Sequence, residues 1–143
     1  MITHKCRVLL VDDHERMRVA LRQLLASCED VEVVAEAGDG EEAIIRVASC
    51  QPELILMDIN MPRMNGIQAT TIIKKAPRAT TIIGLCMVHD PYAIEAMLKA
   101  GALAVVSKER LDDLYSTIQR ACANRREAPK EVSNPVAEEG RSR

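Results

Sequence analysis

Residues 8–17 read VLLVDDHERM, and this stretch decides the fold class. Four apolar residues end at two adjacent carboxylates, Asp12 and Asp13, and a pattern typical of a helix follows. A run of apolar residues without polar alternation is typical of a strand that is covered on both faces of a parallel sheet. Neighbouring negative charges repel, so their place at the end of a buried strand needs a chemical reason.

An apolar run followed by a helical pattern recurs five times along the chain. Strict alternation of strands and helices predicts an α/β fold, with a five-stranded parallel sheet and helices on both faces. The second strand alternates in part between apolar and polar residues, so we expect it at an edge of the sheet. The predicted strands are Arg7–Val11, Val31–Glu36, Leu54–Met57, Thr81–Cys86 and Leu103–Ser107.

The helices are indicated by apolar stripes and by capping residues. Asp39 followed by Glu42 resembles a capping box, and Asp90-Pro91 is typical of a helix start. The third helix is expected to begin near Asn65. Stripes at a spacing of 3.6 residues predict the first helix (Met17, Leu21, Leu24 and Cys28) and the last (Leu111, Leu114, Ile118 and Cys122).

Length and composition limit the class of protein. With 143 residues we expect one domain, residues 1–124, and residues 125–143 read as a disordered tail or the start of an interdomain linker. The net charge of −2 lacks the excess of positive charge expected of a protein that binds nucleic acid directly. No apolar run is long enough to span a membrane. Five scattered cysteines indicate free thiols in a reducing compartment, so we expect a cytoplasmic protein.

Four charged residues follow three of the predicted strands. Asp12 and Asp13 follow the first strand, Asp58 the third and Lys108 the fifth. If the strands take the order 2-1-3-4-5 of known flavodoxin-like folds, these residues meet in one crevice beyond the carboxyl ends of the strands. Mg²⁺ would relieve the repulsion among three carboxylates. The alternative is that each Asp only caps a helix or lies in a solvated loop, and that the lysine is a surface charge.

Four segments resemble the receiver domain of two-component response regulators. They read VLLVDDHERMR, EAGDGEEAI, LILMDINMPRMNGIQAT and AMLKAGALAVVSKE, and the resemblance runs from about Cys6 to Ala123. The first two segments are most similar to the subgroup whose output is a C-terminal helix-turn-helix domain. The resemblance implies a flavodoxin-like fold and a signalling switch rather than an enzyme.

The resemblance also implies residue roles. Asp58 would be the phospho-acceptor, and Lys108 would contact the phosphoryl group. Mg²⁺ would be held by Asp13 and Asp58, by Asp12 directly or through water, and by the backbone carbonyl of Asn60. The implied partner is a sensor histidine kinase or a phosphotransfer protein. A homodimer through the fourth helix, fifth strand and fifth helix is a further implication.

Two positions depart from the family pattern. Cys86 stands where the family usually has Thr or Ser, and Val105 stands where it has a switch aromatic residue. A thiol donates a weaker hydrogen bond than a hydroxyl, so we expect a weaker link between phosphorylation and conformational change. The competing hypothesis is a degenerate receiver that acts as a phosphorylation-independent interaction module.

The sequence leaves two further alternatives, a redox sensor and a small enzyme or FMN-binding protein. Cys86 as a redox sensor would need an accessible, activated thiol, whereas a buried thiol at a strand end is usually inert. A small enzyme or an FMN-binding protein would be expected to carry a glycine-rich phosphate loop after the first strand, and none is present. His4, His14 and His89 are read as surface or loop residues without a catalytic role.

Overall fold

The computed structural model describes residues 4–77 and 80–127, and within them five strands alternate with five helices. The strands are β1 (Cys6–Val11), β2 (Val31–Ala37), β3 (Leu54–Asp58), β4 (Thr81–Cys86) and β5 (Ala104–Ser107). The helices are α1 (Glu15–Ala26), α2 (Gly40–Cys50), α3 (Gly66–Ile73), α4 (Pro91–Ala100) and α5 (Leu111–Glu127). The predicted strands are therefore all present, with ends that agree to within one residue.

The five strands form one parallel sheet in the order β2-β1-β3-β4-β5. This confirms the predicted flavodoxin-like order, and β2 lies at an edge as its partial alternation indicated. β3, near the centre of the sheet, is buried at all five of its residues. The continuous apolar runs thus mark strands that are covered on both faces.

The sheet separates two apolar clusters. One contains the stripes predicted for the first and last helices, with Leu21, Leu114 and Ile118 fully buried. The other lies beneath α2, α3 and α4 and includes Met97 of α4, which is also fully buried. Within the described ranges, no helix is both long enough and apolar enough to cross a membrane.

Side-chain caps begin three of the helices. The Asp39 carboxylate accepts a hydrogen bond from the Glu42 backbone N–H, as predicted. The Glu42 carboxylate, however, accepts from the Gly38 N–H at 2.8 Å, so the reciprocal half of the expected capping box is wrong. A complete capping box occurs instead at the start of α3, where Asn65 and Gln68 each accept from the other's backbone N–H.

The remaining expectations concern the C-terminal part. Helix α5 continues to Glu127, past the predicted domain boundary at residue 124. The rest of the predicted tail, residues 128–143, lies outside the described residues. The cysteines of the described residues are not joined in disulfides, as expected.

Candidate functional site

Lys108 joins two strand-end carboxylates in a buried cluster. Its Nζ atom lies 2.7 Å from Asp12 Oδ2 and 3.1 Å from Asp58 Oδ1. The three side chains are exposed by only 7%, 0% and 3% respectively. Three residues that are far apart in sequence therefore meet at one edge of the sheet, as the predicted strand order requires.

Backbone hydrogen bonds hold the ends of β3 and β5 in place. The Lys108 N–H donates to the Cys86 carbonyl at 2.8 Å, which continues the β4–β5 ladder by one residue. The Ile59 N–H donates to the Leu85 carbonyl at 2.9 Å, directly after Asp58. The lysine and the acidic side chain therefore start from backbone that is fixed by neighbouring strands.

The two oxygens of Asp58 have different surroundings. Oδ1 accepts a hydrogen bond from the Asn60 backbone N–H at 3.2 Å and also faces Lys108. Oδ2 is buried and has no hydrogen-bond partner among the described residues. A buried carboxylate oxygen without a partner is costly unless a ligand satisfies it, so Oδ2 is the atom that is open to chemistry.

The rim of the cluster contains Asp13 and His14. The His14 Nδ1 atom lies 3.1 Å from Asp13 Oδ1 and 3.3 Å from Asp12 Oδ1. One ligand atom from each of Asp12, Asp13, His14 and Asp58 lies within 4.8 Å of the other three. Hard divalent cations prefer carboxylate oxygens, so the three carboxylates of this set fit such a cation. Of the predicted metal ligands, Asp12, Asp13 and Asp58 are brought together.

The electrostatics of the cluster follow from burial and crowding. Burial, together with the negative charge of Asp12, raises the pKa of Asp58 to about 6, although Lys108 opposes the shift. Burial lowers the pKa of Lys108, but the carboxylates of Asp12 and Asp58 outweigh it, and the net shift is upward. Above about pH 6 the cluster therefore contains an ionised Asp58 beside a charged lysine.

Arg18 of α1 holds the backbone at Asp12 in place. This residue was not identified from the sequence. Its Nη1 donates to the Asp12 carbonyl at 2.7 Å, and its Nε donates to Glu36 at 2.8 Å. Arg22 also pairs with Glu36. Together these contacts tie the end of β1 to α1 and to the edge strand β2. The signal available in the sequence was an arginine one turn into the helix that follows the acidic pair.

Of the two positions that depart from the family pattern, Cys86 lies next to this cluster and Val105 lies within β5, three residues before Lys108. Cys86 is buried at the end of β4, and burial, with the nearby charge of Asp58, raises the pKa of its thiol despite the opposing charge of Lys108. A thiol of this kind stays protonated near neutral pH, which favours the inert reading over the redox-sensor alternative. Val105 is partly buried and packs against the cluster that contains Met97.

The comparisons with known proteins agree with this geometry. Residues 8–119 match the response regulator receiver domain family, and the chain therefore belongs to that family. It is 36% identical to the transcriptional regulatory protein DegU of Brevibacillus brevis over 107 aligned residues. These residues make up 74% of this chain and 45% of DegU. It is 32% identical to the nitrate/nitrite response regulator protein NarL of Escherichia coli (strain K12) over 117 aligned residues. These residues make up 81% of this chain and 54% of NarL.

A solved structure gives the same result for the fold. The DNA-binding response regulator of the LuxR family from Staphylococcus aureus superposes with a TM-score of 0.76 at 26% identity, covering 81% of this chain and 98% of that one. The predicted likeness to regulators with a DNA-binding output is confirmed by these relatives. The chain spans about half the length of the curated relatives it matches, 45% of DegU and 54% of NarL.

Proposed function

We propose that this chain is a phosphorylatable receiver that accepts a phosphoryl group on Asp58. The observation that carries the proposal is the buried Oδ2 atom of Asp58, which has no hydrogen-bond partner in the described part of the chain, while Lys108 holds Oδ1. A nucleophilic carboxylate needs one oxygen oriented and the other free to attack. Because the pKa of Asp58 is about 6, the carboxylate is ionised at neutral pH.

The proposed reaction is a transfer between two side chains. Asp58 Oδ2 attacks the phosphorus of a phosphohistidine on a histidine kinase or a phosphotransfer protein. The P–O bond forms, the P–N bond breaks, and the imidazole leaves with the electron pair of that bond. Lys108, placed between two carboxylates, supplies positive charge next to the incoming phosphoryl oxygens. Such reactions depend mainly on positioning and charge neutralisation.

The same acidic set would hold Mg²⁺. Asp12, Asp13 and Asp58 would supply carboxylate oxygens, and the Asn60 carbonyl is the proposed backbone ligand. When bound, Mg²⁺ would neutralise charge on the phosphoryl oxygens. The close approach of ligand atoms from Asp12, Asp13 and Asp58 supports this assignment.

A second candidate function is that of a degenerate receiver, an interaction module that does not depend on phosphorylation. Cys86 and Val105 favour it, because the thiol is a weak donor and valine cannot make the inward rotation that the family's aromatic residue makes. This alternative leaves the acidic cluster without a use, so we rank it second.

Intact-mass measurement with acetyl phosphate and Mg²⁺ separates the two functions. We expect a gain of one phosphoryl group in the wild type, and no gain in Asp58→Asn or in the presence of EDTA. Asp90→Asn is the matched control, because Asp90 caps α4 and asparagine caps a helix equally well. A wild type that gains no mass, under conditions in which a known receiver is labelled, would leave only the degenerate receiver.

The assembly of this chain is also a proposal. The face formed by α4, β5 and α5 is the proposed homodimer surface. Tyr92 and Leu103 near this face are 84% and 55% exposed, whereas Met97 is buried and is not available to a partner. Sedimentation with and without beryllofluoride tests this surface: we expect phosphate-analogue-dependent dimers in the wild type and weaker ones in Tyr92→Ser. We propose that this chain does not itself bind DNA.

A further inference from the structure

The proposed phosphotransfer gives no role to His14, although the histidine ring lies against the acidic cluster. Its Nδ1 atom is 3.1 Å from Asp13 Oδ1 and 3.3 Å from Asp12 Oδ1, while the side chain as a whole is 71% exposed. The ring therefore combines a fixed position beside two carboxylates with freedom to adjust.

The backbone explains why the ring stays there. His14 is the N-cap residue of α1, and its backbone N–H donates to Asp12 Oδ1 at 2.8 Å. Its side chain makes no capping hydrogen bond, so the ring nitrogens are not used by the helix. The main chain thus ties His14 to Asp12, and the ring Nδ1 atom already contacts the carboxylates of Asp12 and Asp13.

An acidic cluster alone does not define a ligand site, but a second observation points to a ligand here. Asp58 Oδ2 is buried without a hydrogen-bond partner among the described residues, so negative charge on that side of the cluster is unbalanced, and a cation beside the oxygen would balance it without occupying it. The four candidate ligand atoms lie within 4.8 Å of one another. Two opposite ligands of a small divalent ion are about 4.2 Å apart, so a small rotation of an exposed side chain brings the set within range.

We propose that His14 is a ligand of this divalent-cation site and that it shifts the selectivity of the site from Mg²⁺ towards borderline transition ions such as Ni²⁺ and Co²⁺. The inference rests on the proposed function, because it concerns the same metal site. Mg²⁺ is a hard ion that takes oxygen ligands and keeps several waters. Imidazole nitrogen suits Ni²⁺, Zn²⁺ and similar ions. Replacing one ligand water by His14 therefore benefits the transition ions and leaves Mg²⁺ nearly unaffected.

Oxygen sites already bind transition ions more tightly than Mg²⁺, so the informative quantity is the change caused by His14. The experiment is calorimetric titration of the full chain with Mg²⁺ and with Ni²⁺, for the wild type, His14→Ala and His14→Gln. We expect the Ni²⁺ affinity to fall about tenfold or more in both variants, on the scale typical of disturbed metal ligation. The Mg²⁺ affinity should change by less than about twofold, because Mg²⁺ keeps oxygen ligands and water.

His4→Ala is the matched control. His4 also contacts a carboxylate, that of Glu53, at 2.8 Å. Glu53 immediately precedes β3, whereas Asp58 is the last residue of β3, so the two lie at opposite ends of this strand. This variant should leave both affinities unchanged. Broadening of the His14 ring protons by Co²⁺ in NMR spectra provides a readout that does not depend on affinity.

The outcomes separate this inference from the proposed function. Unchanged Ni²⁺ affinity in His14→Ala, or equal losses for Mg²⁺ and Ni²⁺, would overturn the role of His14 while Mg²⁺-dependent phosphorylation stands. Ni²⁺ binding that survives Asp13→Asn but needs His14 would place the ion outside the acidic cluster and also overturn it. Ni²⁺ binding that depends on both His14 and Asp13 supports it, even if acetyl phosphate fails to label Asp58.

Discussion

Two glycines, one beside the acidic cluster and one in β4, differ in which atoms lie against them. At the end of β3, a Cβ atom on Gly66 would lie 2.1 Å from the Asp58 carbonyl oxygen, which is backbone. In β4, a Cβ atom on Gly84 would meet the side chains of Met97 and Val105 at 3.0 to 3.3 Å. A side chain at Gly66 would thus meet backbone next to the acidic cluster, whereas one at Gly84 would meet the side chains of a neighbouring region, here called the readout strip (Gly84, Cys86, Met97 and Val105).

This difference indicates that the acidic cluster is rigid and that the readout strip can repack. Charges that must converge within about 3 Å need backbone that does not shift, and hydrogen bonds to neighbouring strands hold the backbone at or beside Asp12, Asp58 and Lys108. The readout strip contains a flexible methionine and a valine, which can repack at low cost. The proposed phosphorylation and its structural consequences would therefore depend on two physically different regions of the chain. Four substitutions test that separation.

The largest effect is expected for Gly66→Ala. The new methyl group would overlap the Asp58 carbonyl, so the loop after β3 must move, and we expect the free energy of unfolding to fall by about 3 kcal/mol. Urea denaturation measures this. Gly38→Ala is the control, since its nearest contact is an ordinary 3.7 Å, and it should change stability by less than about 0.5 kcal/mol. Equal effects at the two glycines would contradict a rigid site.

Asp58→Asn should stabilise the metal-free protein at neutral pH. The unfolded carboxyl loses its proton near pH 3.8, whereas the folded one keeps it to about pH 6, so the wild type loses stability as pH rises between these values. The difference of about two in pKa corresponds to roughly 3 kcal/mol. With EDTA present, Asp58→Asn should be more stable than the wild type by about that amount at pH 7.5, and by almost nothing at pH 3.5.

Urea denaturation at a series of pH values provides the measurement for Asp58→Asn. Asp90→Asn, which alters an exposed cap, is the comparison. A stabilisation that is independent of pH would mean that the charge of Asp58 is not its cause.

Cys86→Thr should strengthen the link between the phosphoryl group and the readout strip. A hydroxyl donates a better hydrogen bond than a thiol, by about 1 kcal/mol. We expect beryllofluoride with Mg²⁺ to bind about fivefold more tightly, which corresponds to that energy. NMR titration, following signals of β5, measures it. Cys50→Thr, on α2, should have no effect; an unchanged Cys86→Thr would show that a missing hydroxyl does not limit the response.

The smallest effect is expected for Gly84→Ala. Met97 can move its Cγ and Cε atoms by a few tenths of an ångström to admit the methyl group, so the loss of stability should stay below about 1 kcal/mol. Thermal denaturation and the methyl spectrum of Met97 give the measurement. A loss as large as that of Gly66→Ala would mean that the readout strip is as rigid as the acidic cluster.

Much of this architecture could be predicted from sequence patterns. The apolar runs end at or one residue before the ends of β1, β3 and β5, and in β1 and β3 this is because strands that are covered on both faces are nearly continuously apolar. The order of the strands was taken from known flavodoxin-like folds, and the structure confirms it. The capping box at Asp39 was half wrong, because Glu42 reaches a backbone N–H one residue earlier than the pattern implies.

The linear pattern was enough to place Asp12, Asp13, Asp58 and Lys108 at strand ends, since a strand's polarity and the parallel sheet bring those ends to one edge. It was silent on which oxygen of Asp58 is left without a partner and on the contact of the His14 ring with the acidic pair. Those features depend on side-chain rotamers and on the distances between separate elements, and residue spacing along the chain contains neither.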